Sequence, residues 1–219
     1  MTNKRSKAAE LAKEFSNRHD PGGWFEELYR YAKGDPNKIP WVDMAPNPNL
    51  VSWLDRNKID PAGKTALKIG CGLGDDAEEL SKRGFKVTAF DISQTAINWC
   101  KKRFPNSDVK YLTIDLLGDR TSLNHNFDFV LESYTLQVLP EKLLNQAIRR
   151  IANFVMPGGT LLVICRGRNA DEKIENPPWP LSKEKADKFK NHGLTEISFE
   201  DFLDSEEPPV RRFRVEYKR

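Results

Sequence analysis

Leu67-Lys68-Ile69-Gly70-Cys71-Gly72-Leu73-Gly74-Asp75-Asp76 reads as the end of a strand, a glycine turn and the start of a helix. Glycines at 70, 72 and 74 let the backbone turn tightly and approach a ligand with no Cβ in the way. Nucleotide-binding α/β folds require this at their first crossover. Downstream, Lys86-Val87-Thr88-Ala89-Phe90 reads as a second strand ending in Asp91, a carboxylate placed to accept both hydroxyls of a ribose. Together these features point to a bound nucleoside cofactor.

Spacing separates the two cofactor classes that share this much. The dinucleotide fingerprint is G-x-G-x-x-G, whereas the third glycine here comes one residue early, and Asp75 and Asp76 open the next helix. Carboxylates in a first helical turn compete with a pyrophosphate for the positive end of the helix dipole. A phosphate-free, positively charged cofactor, S-adenosylmethionine, fits better than NAD. A purely structural glycine turn is the third reading.

The chain has 219 residues, the size of one α/β domain with an extra N-terminal segment. Its net charge of +3, with both signs interspersed, gives no electrostatic footprint for nucleic acid. Arg211, Arg212 and Arg214 read as an exposed strand face. Three scattered cysteines, 71, 100 and 165, argue against a disulfide framework or a zinc site and for a reducing cytoplasm. Cys71 and Cys165 read as small buried hydrophobes rather than nucleophiles. The basic N-terminus runs into Ala8, Ala9 and Leu11 without a long apolar stretch, so neither a secretory signal nor a membrane span is expected.

Ala8, Leu11, Ala12 and Phe15 fall at helical spacing within residues 4 to 18, and His19-Asp20-Pro21-Gly22-Gly23 forms a stop. A short helix through Trp24, Phe25, Leu28 and Tyr29 follows. Prolines 36, 40, 46 and 48 then hold an extended stretch before another helix around Leu50, Trp53 and Leu54. From Thr65 onward strands near 65–70, 86–90, 108–113, 127–131 and 160–165 alternate with helices near 75–83, 93–103 and 140–154. The last helix is expected to end at Pro157-Gly158-Gly159. Such alternation predicts a mostly parallel sheet covered on both faces. A helix near 182–191 precedes strands over 195–199 and 210–217, whose connection is too short for a helical crossover, so they form an antiparallel pair.

In order, the loop at 70–74, Asp91, Asp115-Leu116, the strand Phe127-Asp128-Phe129-Val130-Leu131 and Met156-Pro157-Gly158-Gly159 resemble the class I S-adenosylmethionine-dependent methyltransferases, over roughly residues 60 to 219. The resemblance implies a Rossmann-like, mostly parallel seven-stranded sheet with helices on both faces and its last strand antiparallel. Residues 1–60 would be an N-terminal helical lid on a domain of residues 61–219. Many members carry an acidic residue two positions before the first glycine, where it holds the cofactor's amino group; here Lys68 stands there. That contact falls to loop carbonyls or to Glu132. Trp24, Pro40-Trp41 and Glu175-Asn176-Pro177-Pro178-Trp179-Pro180-Leu181 are similar to the thiopurine methyltransferase-like branch, with Asn176 in place of a glycine. That branch includes thiopurine, thiol and halide methyltransferases and tellurite-resistance proteins.

By motif position, Asp91 binds the ribose hydroxyls, Ile92 packs on adenine, Asp115 accepts from the adenine amino group and Leu116 closes the ring edge. Asp91 could instead cap the helix from Ser93, and Asp115, like Asp108 and Asp119, could be a polar turn residue. Trp24 and Trp41 either pin the lid or meet the sulfonium through cation–π attraction. Glu132, Ser133, Tyr134 and Gln137 follow the fourth strand at the ligand end of the sheet, where Tyr134 could orient an acceptor or lie on the surface of a following helix. Arg166 and Arg168 could attract an anionic acceptor or form salt bridges to Asp171 or Glu172.

His19, His125 and His192 all fall in apparent loops, so none suits a general base. An anionic thiol, selenium, tellurium or halide nucleophile needs none, whereas a hydroxyl or amine would use Glu132 or Tyr134. The partner expected is a small-molecule methyl acceptor, with no nucleic acid, membrane or metal, and the chain working as a monomer or homodimer. Three alternatives stay open: a small-metabolite N- or O-methyltransferase, a non-catalytic cofactor-binding protein, and an NAD-dependent oxidoreductase.

Overall fold

The computed structural model describes residues 2–17, 20, 22–118, 121–174 and 176–219. The expected stop at His19 and Pro21, and the residues Asp119 and Glu175, lie outside the described residues. In chain order the elements are helices α1 (Thr2–Asn17), α2 (Gly23–Ala32) and α3 (Pro48–Asn57), then β1 (Thr65–Ile69), α4 (Asp75–Lys82), β2 (Lys86–Asp91), α5 (Gln94–Arg103) and β3 (Lys110–Thr113). They continue with β4 (Phe127–Ser133), α6 (Glu141–Phe154), β5 (Val155–Arg166), α7 (Lys183–Asp187), β6 (Thr195–Leu203) and β7 (Arg211–Lys218). The strands form one seven-stranded sheet in the order β3-β2-β1-β4-β5-β7-β6. β1 and β4 run parallel, as do β2 and β3 and β4 and β5, while β7 is antiparallel to both β5 and β6.

The chain divides into two compact units, residues 1–60 with 70–115 and residues 61–69 with 116–219. In the first, apolar residues of α1 and α2 (Ala8, Leu11, Trp24, Leu28, Tyr29 and Ala32) close on Ile39, Leu73 and Ala96. Local chemistry starts its helices. Pro48 follows the cap Asn47, whose side chain accepts from the Asn49 amide, and Ser93 caps α5 by accepting from Ala96. Gly74, at φ +95°, opens α4, and a side chain there would collide with the Tyr111 hydroxyl.

In the second unit α6 buries Leu144, Ala147, Ile148, Ile151 and Ala152, a stripe at helical spacing. β5 is buried from Thr160 through Cys165, as a strand with neighbours on both edges requires.

Four local expectations need correction. Pro157-Gly158-Gly159 does not end α6: the helix stops at Phe154, and β5 already begins at Val155, which pairs with Phe127 before the register slips to Phe129–Thr160. The helix expected over 182–191 is one short α-turn segment, α7, followed by a 3-10 helix at Lys188–His192, so His192 is not in a loop. Tyr134 is half-buried in a bend at φ +64°, not on a helix.

The fourth concerns the arginines of β7. Arg212 and Arg214 are buried, because β7 lies between β5 and β6 and both its faces are covered. Arg212 pairs with Asp204 at 2.5 Å and with Glu206, and Arg214 makes two bonds to Glu200, its register partner on β6, at 2.8 and 2.6 Å. Only Arg211 keeps substantial exposure, bound to Asp201 at 2.7 Å.

Candidate functional site

In the first unit the glycine loop and the end of β2 are bound to each other. Asp91 is buried and accepts from the Gly72 amide at 2.9 Å through one oxygen and from the Ser93 amide at 2.9 Å through the other. The carboxylate therefore fixes the loop and, through Ser93, the start of α5. The cap of α5 is Ser93 itself, whose hydroxyl accepts from the Ala96 amide, and Asp91 holds Ser93 in place.

Behind the loop, Arg103 donates to the Leu73 carbonyl at 2.5 Å and forks onto Asp75 at 2.8 and 2.7 Å, while the Cys100 thiol donates to the Gly72 carbonyl at 3.2 Å. Asp75 thus has its own counter-ion. Asp76 accepts from the Asn47 amide at 2.8 Å.

Helix α2 is pinned beside Asp91. Glu26 accepts from the Ser93 hydroxyl at 2.7 Å and from the Thr95 amide and hydroxyl at 3.0 and 2.6 Å. Burial pushes its pKa up, but the bonds from Ser93 and Thr95 outweigh that and hold the carboxyl below its ordinary value. Trp24 is buried, stacked on Phe25 with ring centroids 3.9 Å apart, and meets Trp41 edge-on at 5.7 Å. Trp41 is half-buried and donates its indole N–H to the Tyr29 hydroxyl at 3.0 Å. The tryptophans therefore meet in one aromatic cluster together with Tyr29, a residue the sequence reading placed on a helix without assigning it a role.

Ile92, with 36% of its surface exposed, and the exposed Asp115 stand at the ends of β2 and β3. Leu116 is buried in the second unit.

In that unit Glu132, near the end of β4, is fully buried. One oxygen accepts from the Thr135 and Leu136 amides at 2.7 and 2.9 Å, and the other has no hydrogen-bond partner. Burial raises its pKa to about 7, against the opposing pull of the Leu136 and Thr135 amides and of the Lys68 ammonium. Lys68 is itself buried, donating to the Ile69 carbonyl at 2.8 Å. A cation at position 68 and an anion at 132 thus share the interior of this unit.

Tyr134 lies under the Arg212 guanidinium, 4.8 Å from the ring centroid. The Arg166 amide donates to the Gln137 side chain at 2.7 Å, and the Gln137 carbonyl accepts from the Trp179 amide at 2.6 Å. Gln137 therefore joins the end of β5 to the Pro177–Leu181 segment. Arg168 makes no salt bridge to Asp171 or Glu172; its guanidinium holds the carbonyls of Pro180, Asn169, Ala170 and Glu172. Cys165 is buried, and burial together with Glu132 pushes its thiol well up, so it is no nucleophile.

Residues 66–159 match the family model described as a methyltransferase domain. Over this stretch the chain is similar to methyltransferase domains. The domain match brackets the glycine loop, Asp91, Asp115 and Glu132. Among curated relatives, a ubiquinone biosynthesis O-methyltransferase of Stutzerimonas stutzeri (strain A1501) is 30% identical over 125 residues, covering 56% of this chain and 53% of that protein. The chain spans about half the length of the curated relatives it matches.

Two solved structures share the fold. One comes from work on the conversion of a disulfide bond into a thioacetal group during echinomycin biosynthesis, with a TM-score of 0.74 at 20% identity over 90% of this chain and 91% of that one. The other is Burkholderia thailandensis 1,6-didemethyltoxoflavin-N1-methyltransferase, which holds 1,6-didemethyltoxoflavin and S-adenosylhomocysteine. Its TM-score is 0.65 at 14% identity over 100% of this chain and 91% of that one.

Proposed function

We propose that this protein is an S-adenosylmethionine-dependent methyltransferase acting on a small-molecule nucleophile. The observation that carries the reading is the Asp91 carboxylate holding the Gly72 amide inside a matched methyltransferase domain. The donor set fits the cofactor. The Asp91 carboxylate suits ribose hydroxyls, the exposed Ile92 side chain offers an apolar surface for adenine, and the Asp115 carboxylate suits the ring amino group. Gly70, Gly72 and Gly74 keep the approach free of side chains, and Trp24 and Trp41 anchor the lid of residues 1–60. The free oxygen of Glu132 is the buried acceptor suited to an ammonium, in place of the acid absent at position 68.

The cofactor, when bound, supplies a methyl group on a sulfonium, open to in-line displacement. Alignment and exclusion of water are then the protein's main task, worth up to about 7 to 11 kcal/mol in ideal cases. Tyr134 is stiffened by the Arg212 guanidinium on its ring and so can orient an acceptor, with Arg166 attracting its negative charge.

The finer reading, a thiol, halide or chalcogen acceptor in the manner of the thiopurine methyltransferase-like branch, is supported by the scarcity of bases: His125 engages the Val155 carbonyl and Cys165 stays protonated. Three buried free cysteines support a reducing cytoplasm, and we place the chain there as a monomer or homodimer with no partner but its acceptor. A second reading, an N- or O-methyltransferase, is favoured by Glu132, whose pKa near 7 suits a general base.

Formation of S-adenosylhomocysteine with thiols, iodide and tellurite, against phenols and amines, tests the choice. Turnover of the anionic acceptors supports the first reading. Turnover of phenols or amines alone, lost in Glu132→Gln while S-adenosylmethionine is still bound, establishes the second. Cofactor binding without turnover of any acceptor overturns the catalytic reading.

A further inference from the structure

Tyr29 is buried to 1% exposure, and its hydroxyl lies directly over the glycine loop: a Cβ added at Gly72 would stand 3.3 Å from the phenolic oxygen. That oxygen accepts the Trp41 indole N–H, a group that can only donate. The phenolic proton must therefore go elsewhere, and among the described residues no acceptor receives it. A buried donor left in this way costs about 1–3 kcal/mol unless a ligand completes it. Burial and the neighbouring Asp91 charge both push the phenol well above its ordinary value, so it stays protonated and can serve only as a neutral donor toward an oxygen acceptor.

We infer that Tyr29 is a cofactor-binding residue, its hydroxyl donating to the carboxylate of the cofactor's amino acid tail above Gly72. The inference rests on the cofactor reading proposed above and deepens it. Three groups already fix the phenol in place: the Trp41 indole, the apolar cluster of Leu28, Ala32 and Leu73, and the Glu26 bonds that pin α2 to Ser93 and Thr95. The donor is thus preorganised, and little ordering entropy is lost when it binds. Within the ligand only the carboxylate is an anionic oxygen; a sulfonium accepts nothing.

The test is calorimetric titration of the full chain and of Tyr29→Phe with S-adenosylmethionine and with 5′-methylthioadenosine, which keeps the nucleoside and the sulfur but lacks the amino acid tail. The substitution deletes only the hydroxyl. S-adenosylmethionine affinity should fall about tenfold or more while methylthioadenosine affinity stays within about twofold, since a hydrogen bond to a charged group is lost in the first case alone. S-adenosylhomocysteine, which has the tail but no positive sulfur, should lose as much as S-adenosylmethionine. Equal losses for the tailed and tailless ligands would assign Tyr29 a purely structural role, and no loss for either would remove it from the site; both results overturn the inference. Failure of the unaltered chain to bind S-adenosylmethionine would instead bring down the cofactor reading itself.

Discussion

Glu132 has one carboxylate oxygen bound by two backbone amides and the other without a hydrogen-bond partner, in a fully buried position. Its folded pKa of about 7 lies above the unfolded value near 4.5, so the native state holds this proton more tightly than the unfolded chain does. Stability from this group is therefore fully present below about pH 4.5 and is lost as pH rises through 7. Urea unfolding of the ligand-free protein should show a decline of about 3 kcal/mol between those limits relative to Glu132→Gln. Parallel pH profiles for the two proteins would refute the assignment.

If the free oxygen holds an ammonium, cofactor binding near pH 7 should release a proton, seen as a binding enthalpy that changes with the ionisation enthalpy of the buffer. At this scale the sequence was legible where chemistry is local. The three glycines and Asp91 declare themselves by spacing, whereas Tyr29 over Gly72 and Lys68 with Glu132 arise only when distant segments meet, and no periodicity encodes that.

Helix α2 shows how one element is bound to another by a single side chain. Glu26 caps the start of α5 from outside, accepting three hydrogen bonds from Ser93 and Thr95. Because its pKa is depressed in the folded state, its contribution is present above the unfolded value near 4.5 and disappears as pH falls through the folded one. Glu26→Ala should lower stability by about 1 kcal/mol at pH 7, because solvent screens a partly exposed carboxylate. It should also speed proteolysis within residues 1–40, and an unchanged cleavage rate would count against the clamp.

On β7, Arg212→Met leaves Asp204 without its guanidinium but still holding the amides of Val210 and Glu206. A loss of about 2 kcal/mol is expected by thermal unfolding. The amphipathic stripes of α2 and α6 were readable as helices from their spacing. The burial of Arg212 and Arg214 was not, because charge alone suggests solvent, and only the strand order places β7 between two neighbours. Similarly, Pro157-Gly158-Gly159 looks like a helix stop, yet the slipped β4–β5 register accommodates it as the start of a strand.

For the whole molecule, alternation of strand and helix from Thr65 onward was enough to give a mostly parallel sheet, and the short acidic connection before Val210 gave its antiparallel end. The acceptor was not legible, since the residues proposed to meet it, Tyr134 in a bend and Arg166 at the end of β5, come together only through tertiary packing. No helix among the described residues is long and apolar enough to cross a membrane, and no cluster of metal-ligating side chains occurs among them.

The central claim, a nucleoside site for a cationic methyl donor, is tested most directly by calorimetric titration of the protein with S-adenosylmethionine and separately with NAD, repeated on Asp91→Ala. The account expects micromolar S-adenosylmethionine binding that Asp91→Ala abolishes, and no NAD binding. NAD binding without S-adenosylmethionine binding would contradict it, and the functional reading of the glycine loop would go with it.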